Sequence, residues 1–259
     1  MSTFKRYAGY YDLLYRDKDY AGEAAFVRRR IRKHAPGARS LLELGCGTAR
    51  HAREFVRHGW RVLAVDRSKA MVRLAEAERA RLPARLRKNL QLGIGDASRF
   101  RSRQPFDAAV SLFHVVNYQL ADAALRGMFR SARRALRPGG IFLFDFWYGP
   151  GVRADPPALR IKRVESKTTR ILRLAEPVHD SKRHRVDVNY TLIATDRRTG
   201  RSERIEETHA VRYLFLPEIR RLGSAAGLKL VESGAWLSGR PLSGRSWLGY
   251  AVLRAVGGS

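Results

Sequence analysis

The run Leu41-Leu42-Glu43-Leu44-Gly45-Cys46-Gly47-Thr48 constrains the fold more than any other part of the chain. Ser40 to Leu44 is short and apolar, which reads as a buried strand, and Gly-Cys-Gly then lets the backbone turn sharply and come close to a ligand. Ala49 to His58 has helical character and stops at Gly59. Trp60 to Asp66 is a second strand that ends in an acid, and Ser68 can cap a helix from Lys69 to about Leu82, before Pro83. A strand leading through a glycine turn into a helix and back to a strand is the unit of a parallel sheet.

The same alternation continues. Leu90 to Ile94 reads as a third strand leading into Gly95-Asp96-Ala97, and Phe106 to Phe113 as a fourth. Ala121 to Leu136 carries apolar residues at helical spacing, closed by Arg137-Pro138-Gly139-Gly140, and Ile141 to Phe146 is apolar enough to be a central fifth strand. After Trp147 the pattern changes to polar–apolar alternation. Val186 to Ile193 and Thr208 to Tyr213 read as half-buried strands, with Asp196-Arg197-Arg198-Thr199-Gly200 as a turn between them. Leu216-Pro217-Glu218 opens a helix to about Ala226, and strands near Lys229–Leu237 and Ser246–Val256 finish the chain. The expected fold is α/β: a doubly wound, mostly parallel seven-stranded sheet of Rossmann-like type, with an antiparallel β insert after strand five. Expected boundaries are a helical cap over residues 1–37, a cofactor-binding core over 38–150, the insert over 151–215, and completion of the core sheet over 216–259.

Three acids end strands on the side where doubly wound sheets bind ligands: Glu43, Asp66 and Asp96. Asp66 follows the turn by about 20 residues, where a ribose-binding carboxylate is expected. Dinucleotide binders need a third glycine in the turn, and Arg50 stands there instead. A pyrophosphate is therefore less favoured than a sulfonium amino acid. The net charge of +27 attracts polyanions, but the arginine-rich basic residues are dispersed along the chain rather than gathered in one arm, which assigns them to solvated faces. No RNA-reading module or base-clamping motif accompanies them, so a nucleic-acid substrate is not expected. The single cysteine, Cys46, permits no internal disulfide, and no His, Asp and Glu set has metal-ligand spacing, so no metal is expected. The stretch from Met1 to Tyr7 lacks a signal peptide's apolar run and no segment is long enough to cross a membrane, so a cytoplasmic location without membrane insertion is expected.

With the turn, the acids and the strand order together, the region 38–147 resembles the class I S-adenosylmethionine-dependent methyltransferase superfamily. The resemblance implies that Gly45 and Gly47 pass beneath the methionine moiety and that Glu43 orients the turn or the amino group. It implies further that Asp66 accepts from the ribose hydroxyls, that Met71 covers the adenine, and that Asp96 and Ala97 meet its edge. A narrower resemblance reaches nearly the whole chain. Tyr10-Tyr11-Asp12-Leu13-Leu14-Tyr15, Asp145-Phe146-Trp147, Glu206-Glu207-Thr208-His209 and Ser243-Gly244-Arg245 are similar to segments of antibiotic-pathway sugar N-methyltransferases. The run Phe113-His114-Val115-Val116-Asn117-Tyr118 is also similar to methyltransferases of surface-polysaccharide clusters. Where the sugar enzymes carry a histidine after strand four this chain has Tyr118, with His114 a helical turn earlier.

Methyl transfer from a sulfonium needs acceptor and methyl held in line, and a hydroxyl acceptor needs a base as well. Tyr11, His114 and Trp147 are the candidate catalytic residues, with His114 as the base. Tyr118 and Arg245 are candidate substrate contacts, Arg245 for a phosphate of a nucleotide-linked acceptor. Glu207 and His209 share one face of a strand and read as a cross-strand structural pair, and His179 and His184 read as solvated. The implied function is S-adenosylmethionine-dependent methylation of N or O on a small, sugar-type or nucleotide-linked acceptor, with the insert closing the pocket or pairing two subunits as a homodimer. The alternatives are an RNA methyltransferase and a non-catalytic S-adenosylmethionine-binding protein.

Overall fold

The computed structural model describes residues 7–257 of the chain. Met1–Arg6, read above for a leader, and residues 258–259 lie outside the described residues. A 3-10 turn at Tyr7–Tyr10 runs into the short helix α1 (Tyr11–Leu14). Helix α2 (Tyr20–His34) follows, capped by Asp19, whose carboxylate accepts from Gly22 N–H at 2.8 Å. The core then alternates as expected: β1 (Ser40–Leu44), α3 (Arg50–Arg57), β2 (Arg61–Asp66), α4 (Lys69–Ala80), a short α5 (Ala84–Arg87), β3 (Leu90–Ile94) and β4 (Phe106–Ser111). A 3-10 turn at Val115–Tyr118 precedes α6 (Asp122–Ala135), β5 (Leu136–Trp147) and α7 (Gly149–Ala154). The insert is β6 (Arg160–Glu165), β7 (Thr169–Asp180), β8 (Arg185–Asp196) and β9 (Ser202–Arg212), after which α8 (Leu216–Ala225), β10 (Leu228–Ala235) and β11 (Leu248–Ala255) end the chain.

The main sheet has seven strands in the order β10-β11-β5-β4-β1-β2-β3, and the insert is a separate four-stranded sheet, β6-β7-β8-β9. Strands β1 to β5 pair in parallel, and β11 runs antiparallel between β5 and β10. Side chains of a strand alternate between faces, so a strand buried on both sides can be apolar throughout. That is what β1 and β5 show. Leu41, Ile141 and Leu143 pack with Phe26 and Val27 of α2 and Phe55 of α3, whereas Leu42, Leu44, Phe142 and Phe144 pack with Phe129 of α6 and Leu222 of α8. The rings of Phe129, Phe142 and Phe144 meet edge-on or tilted, with centroids 5.0–5.7 Å apart.

Strand β5 begins earlier than the sequence suggests. The expected helix closure Arg137–Gly140 is already extended, because Leu136 pairs with Phe106 of β4 before the register shifts. Helix α7 was not expected, since Gly149 and Gly151 argue against a helix. Close packing explains Gly151: a Cβ there would lie 2.0 Å from the Ser246 carbonyl oxygen. The insert also holds more strand than the alternation alone suggested, with β9 starting at Ser202 and β7 pairing with β8 along its whole length. His179 and His184 are half-buried rather than fully solvated. His179 Nε2 lies 3.2 Å from the Tyr213 hydroxyl, and the His184 ring lies 4.9 Å from that of Phe215.

The insert packs back on the core through two apolar patches. Leu14 joins Val164, Ile171, Leu192 and Ile205, while Val152 of α7 joins Val186, Val188, Val211 and Tyr213. Buried Asn117 ties the pieces together, donating to Arg212 O at 2.5 Å and accepting from Trp147 N–H at 3.2 Å.

At the far end of the sheet Asp107 clamps β1 to β4. Its carboxylate accepts from Arg39 N–H, Ser40 N–H, the Ser40 hydroxyl and Arg137 Nη1 at 2.7–2.9 Å. Burial pushes its pKa up, but the bonds from Arg39 and Ser40 and the Arg137 charge outweigh this and hold it below the ordinary value. Asp107→Ala is expected to cost about 1–3 kcal/mol of unfolding free energy, the scale of lost hydrogen bonds to a charged group. Because the folded pKa is depressed, that stability is present above about pH 4 and is lost as pH falls through the folded value. Urea denaturation between about pH 2 and 7 should therefore show a flatter acid dependence for the variant.

Candidate active site

Strand β1 delivers the chain into the turn at the carboxyl edge of the sheet. Gly45 (φ 82°) and Gly47 (φ 55°) occupy left-handed backbone, and a Cβ at Gly45 would lie 2.4 Å from Val115 Cγ1. At Gly47 a Cβ would meet open space, and both glycines line a cavity of about 260 Å³. Gly45 and Cys46 N–H donate to Val65 O at 2.8 and 3.0 Å. The Asp66 carboxylate closes the turn: Oδ2 accepts from Gly47 N–H at 2.9 Å and Oδ1 from Ser68 N–H at 2.8 Å. Burial raises the Asp66 pKa, and these two bonds hold the rise in check. Each oxygen has a second lone pair for a ligand hydroxyl. Ser68 caps α4 as expected, accepting from Met71 N–H at 3.3 Å, and Met71 lines the cavity beside Asp66. Asp96 and Ala97 line it too, with Asp96 Oδ1 accepting from Ser98 N–H and hydroxyl at 2.8 and 2.6 Å.

Glu43 is the most unusual of the acids. It is 1% exposed and lines the cavity, and its Oε2 has no hydrogen-bond partner. Burial, with Asp66 nearby, pushes its pKa up to about 8. Buried His51 stands between carboxylates, Nδ1 4.0 Å from Glu43 Oε1 and Nε2 2.7 Å from Glu23 Oε2. Glu23 also pairs with Lys18 and accepts from Trp236 Nε1 at 3.5 Å. Burial works to raise Glu23, but His51 and Lys18 outweigh it and hold the pKa at about 2. These features fit S-adenosylmethionine: an orphaned buried carboxylate oxygen for its ammonium, an open glycine cradle, and a carboxylate with lone pairs to spare for its ribose.

Beyond the turn the cavity runs on to the insert. Tyr11, His114, Tyr118 and Trp147, drawn from three separate segments, all line it, together with Tyr15, Arg173, Tyr190 and His209. Phe113 (φ 63°) and His114 (φ 62°) are consecutive left-handed residues with side chains, a conformation costing roughly 1–2 kcal/mol each. Their partners hold it. His114 N–H donates to the Asp145 carboxylate at 3.2 Å, and Phe113 meets the Tyr15 ring edge-on at 5.0 Å; His114 Nδ1 comes within 2.7 Å of Asp145 Oδ2 but makes no hydrogen bond. Asp145 is fully buried at the end of β5. Trp147 packs on Trp247, centroids 4.6 Å apart.

Two expectations need correction. Arg245 does not line the cavity. It is exposed in the turn closed by Ser246 N–H on Ser243 O at 2.9 Å, and Trp247 just beyond it packs behind Trp147, which does line the cavity. Glu207 and His209 are not a cross-strand pair. They are neighbours on the inward face of β9, bonded at 3.1 Å, opposite Tyr190 and Val188 of β8, and His209 lines the cavity. Sequence reasoning also missed His51, Arg173 and Tyr190. A charged or imidazole side chain at an inward position of an apolar alternation was the available signal for His209, and nothing local marked the others. Among the described residues no group of acids, histidines and cysteine could hold a metal, and no helix is long and apolar enough to cross a membrane.

Comparison with known proteins agrees with this geometry. Residues 41–140 match the methyltransferase domain family. The chain is 30% identical over 240 residues to the dTDP-3-amino-3,4,6-trideoxy-alpha-D-glucopyranose N,N-dimethyltransferase of Streptomyces venezuelae, covering 91% of this chain and 95% of that one. The sugar N-methyltransferase KedS8 of a Streptoalloteichus species superposes with a TM-score of 0.77 at 29% identity, covering 93% and 92% of the two chains. An S-adenosylmethionine-dependent methyltransferase of Clostridium acetobutylicum shares the fold, with a TM-score of 0.79 at 18% identity over 99% of this chain and 100% of that one. The chain belongs to the S-adenosylmethionine-dependent methyltransferases, in the family that includes the dTDP-aminosugar N,N-dimethyltransferases.

Proposed function

We propose that this enzyme methylates the amino nitrogen of a nucleotide-linked amino sugar. The observation that carries the reading is the continuity of one cavity from the glycine turn to an aromatic wall formed by Tyr11, Tyr15, Trp147 and Tyr190. Such a pocket, mostly apolar with a few placed polar groups, suits a small ring-shaped acceptor. The aminosugar acceptor named for the Streptomyces venezuelae relative supports the same class.

In this reading the Gly45–Gly47 turn runs under the methionine moiety, Glu43 faces its ammonium, Asp66 accepts from the ribose hydroxyls, and Met71, Asp96 and Ala97 border the adenine. When bound, S-adenosylmethionine supplies a methyl group on a sulfonium, lost to a nucleophile while the bonding electrons stay on sulfur. In the displacement itself the chain's work is to orient and to exclude water. Tyr11 and Trp147 confine the acceptor between α1 and the end of β5, and Tyr118 contacts it. The strained Phe113–His114 turn sets the His114 ring, braced by Asp145, between the two ends of the cavity. Holding the nucleophile in near-attack geometry supplies most of the gain in a displacement of this kind. The homodimer reading also belongs here: Ile161 is exposed on the insert's edge strand β6, next to exposed Leu159, and offers a surface for a second copy.

Incubation with S-adenosylmethionine and dTDP-3-amino-3,4,6-trideoxy-α-D-glucopyranose should give methylated sugar, read by mass spectrometry. Binding of cofactor without transfer to this or related dTDP-aminosugars would overturn the acceptor class. Asp66→Ala should weaken S-adenosylmethionine binding by about 1.5–3 kcal/mol in calorimetry. Glu43 gives a pH dependence. With a pKa of about 8 in the free protein it is largely protonated at neutral pH, whereas an ammonium partner requires the carboxylate. Binding near pH 7 should therefore release close to one proton. Affinity should rise by up to about tenfold per pH unit below the Glu43 pKa and level off above it. Calorimetry in buffers of different ionisation enthalpy counts the proton, and Glu43→Gln should abolish both effects.

A further inference from the structure

Where the insert meets the core, three side chains outside the cofactor end form a bonded chain. Glu207 Oε2 lies 3.1 Å from His209 Nε2, and His209 Nδ1 lies 3.2 Å from the Tyr118 hydroxyl. The directions of these bonds follow from chemistry. A carboxylate can only accept, so His209 Nε2 carries the hydrogen and donates to Glu207. In the neutral ring Nδ1 is then an acceptor, and the Tyr118 hydroxyl donates to it. His209 is 3% exposed, and burial pulls its pKa below the ordinary histidine value, against the opposing pull of Glu207, so the ring is neutral at pH 7. Burial also raises the Tyr118 pKa, which keeps that hydroxyl protonated. Among the described residues the Tyr190 ring also lies against His209, 4.9 Å away and edge-on, and the Arg173 charge acts on it. Arg173 lies 5.3 Å above the Tyr190 ring.

The same bonds tie the Val115–Tyr118 turn to β9, and their direction also suits proton uptake. An acceptor amine needs such uptake: at neutral pH it is an ammonium with no lone pair to attack with, and the proton must leave before methyl transfer. We propose that Tyr118, His209 and Glu207 form a relay that removes this proton. This rests on the amino-sugar reading above. The acceptor's N–H bond breaks as an O–H bond forms at the Tyr118 oxygen, and the hydroxyl's own hydrogen passes to His209 Nδ1. The amine is left neutral with its lone pair free. The imidazolium is held by the Glu207 carboxylate, and the proton returns to solvent after transfer. Tyr118 is the catalytic residue of the three, and His209 and Glu207 act through it. His114, set by its backbone bond to Asp145, then serves orientation rather than proton removal.

Two measurements test the relay. With the dTDP-aminosugar above, His209→Gln and Tyr118→Phe should lower kcat on the order of 10²-fold near pH 7, the scale for loss of a general base. The deficit should shrink as pH rises toward about 9, where solvent deprotonates the amine unaided. Glu207→Gln, which removes the carboxylate that raises the His209 pKa, should shift the acid limb of the kcat profile to lower pH. Affinity for S-adenosylhomocysteine should stay within about twofold in all three, reporting an intact fold. A deficit constant across pH, or none, overturns the relay while leaving the acceptor class standing, whereas a wild-type chain inactive on every dTDP-aminosugar overturns that class. The second measurement needs no acceptor. Nitrogen NMR of the histidine rings should find His209 as the Nε2–H tautomer at pH 7, with its Nδ1 resonance displaced in Tyr118→Phe. An Nδ1–H tautomer or an imidazolium at that pH overturns the relay whatever the acceptor.

Discussion

The contact on which the rest of the site depends is the carboxylate of Asp66 accepting from Gly47 and Ser68 N–H. It joins the end of β2 both to the glycine turn after β1 and to the cap of α4, so three elements take their relative positions from one side chain. Two charge-assisted bonds at 2.8–2.9 Å make the turn rigid before any ligand arrives. A turn fixed in this way costs little to organise on binding, which is the physical content of preorganisation. Placing the acid at a strand end rather than in a loop holds its oxygens at a constant height above the sheet.

Polar groups buried around that turn follow a consistent logic. Glu23 is compensated by Lys18, His51 and Trp236 and is held as an anion. Glu43, on β1 and also buried, has no cation in hydrogen-bond contact with Oε2. A buried carboxyl left in that state favours its neutral form until a cation is delivered. The imidazole of His51 lies between the two, 2.7 Å from Glu23 and 4.0 Å from Glu43, and that asymmetry separates the two acids.

The acceptor end is built on different terms, by folding a second sheet over the first. Asn117 bonds both Arg212 of the insert and the backbone of Trp147, so the wall and lid of the cavity share one support. The left-handed pair Phe113–His114 stores strain at the junction, and buried Asp145 holds the backbone there. Strain of this kind persists only where the surroundings over-determine it, and it sets a side chain in a direction that a relaxed turn would not give. The cavity thus combines a rigid cofactor end with an acceptor end whose shape depends on docking between sheets.

The main strands and helices from β1 to β5, the turn at Gly45–Gly47, the cap at Ser68 and the strand-ending acids Glu43, Asp66 and Asp96 were legible in the sequence, because each is encoded locally. Side-chain alternation, helical spacing and turn chemistry act over a few residues and need no knowledge of distant partners. The extension of β5 back to Leu136 was not legible, since pairing with Phe106 overrides the helix-stop signal of Pro138 and Gly139. Nor was the exposure of Arg245, because a local turn says nothing about which way its side chain faces. His51, Arg173, Tyr190 and His209 entered the cavity only through tertiary structure. Their roles arise where α3 meets α2 and where the insert docks on the core, contacts between segments far apart in sequence. The sequence determined which surface of the sheet would bind a cofactor. Long-range packing alone decided what the cofactor would face.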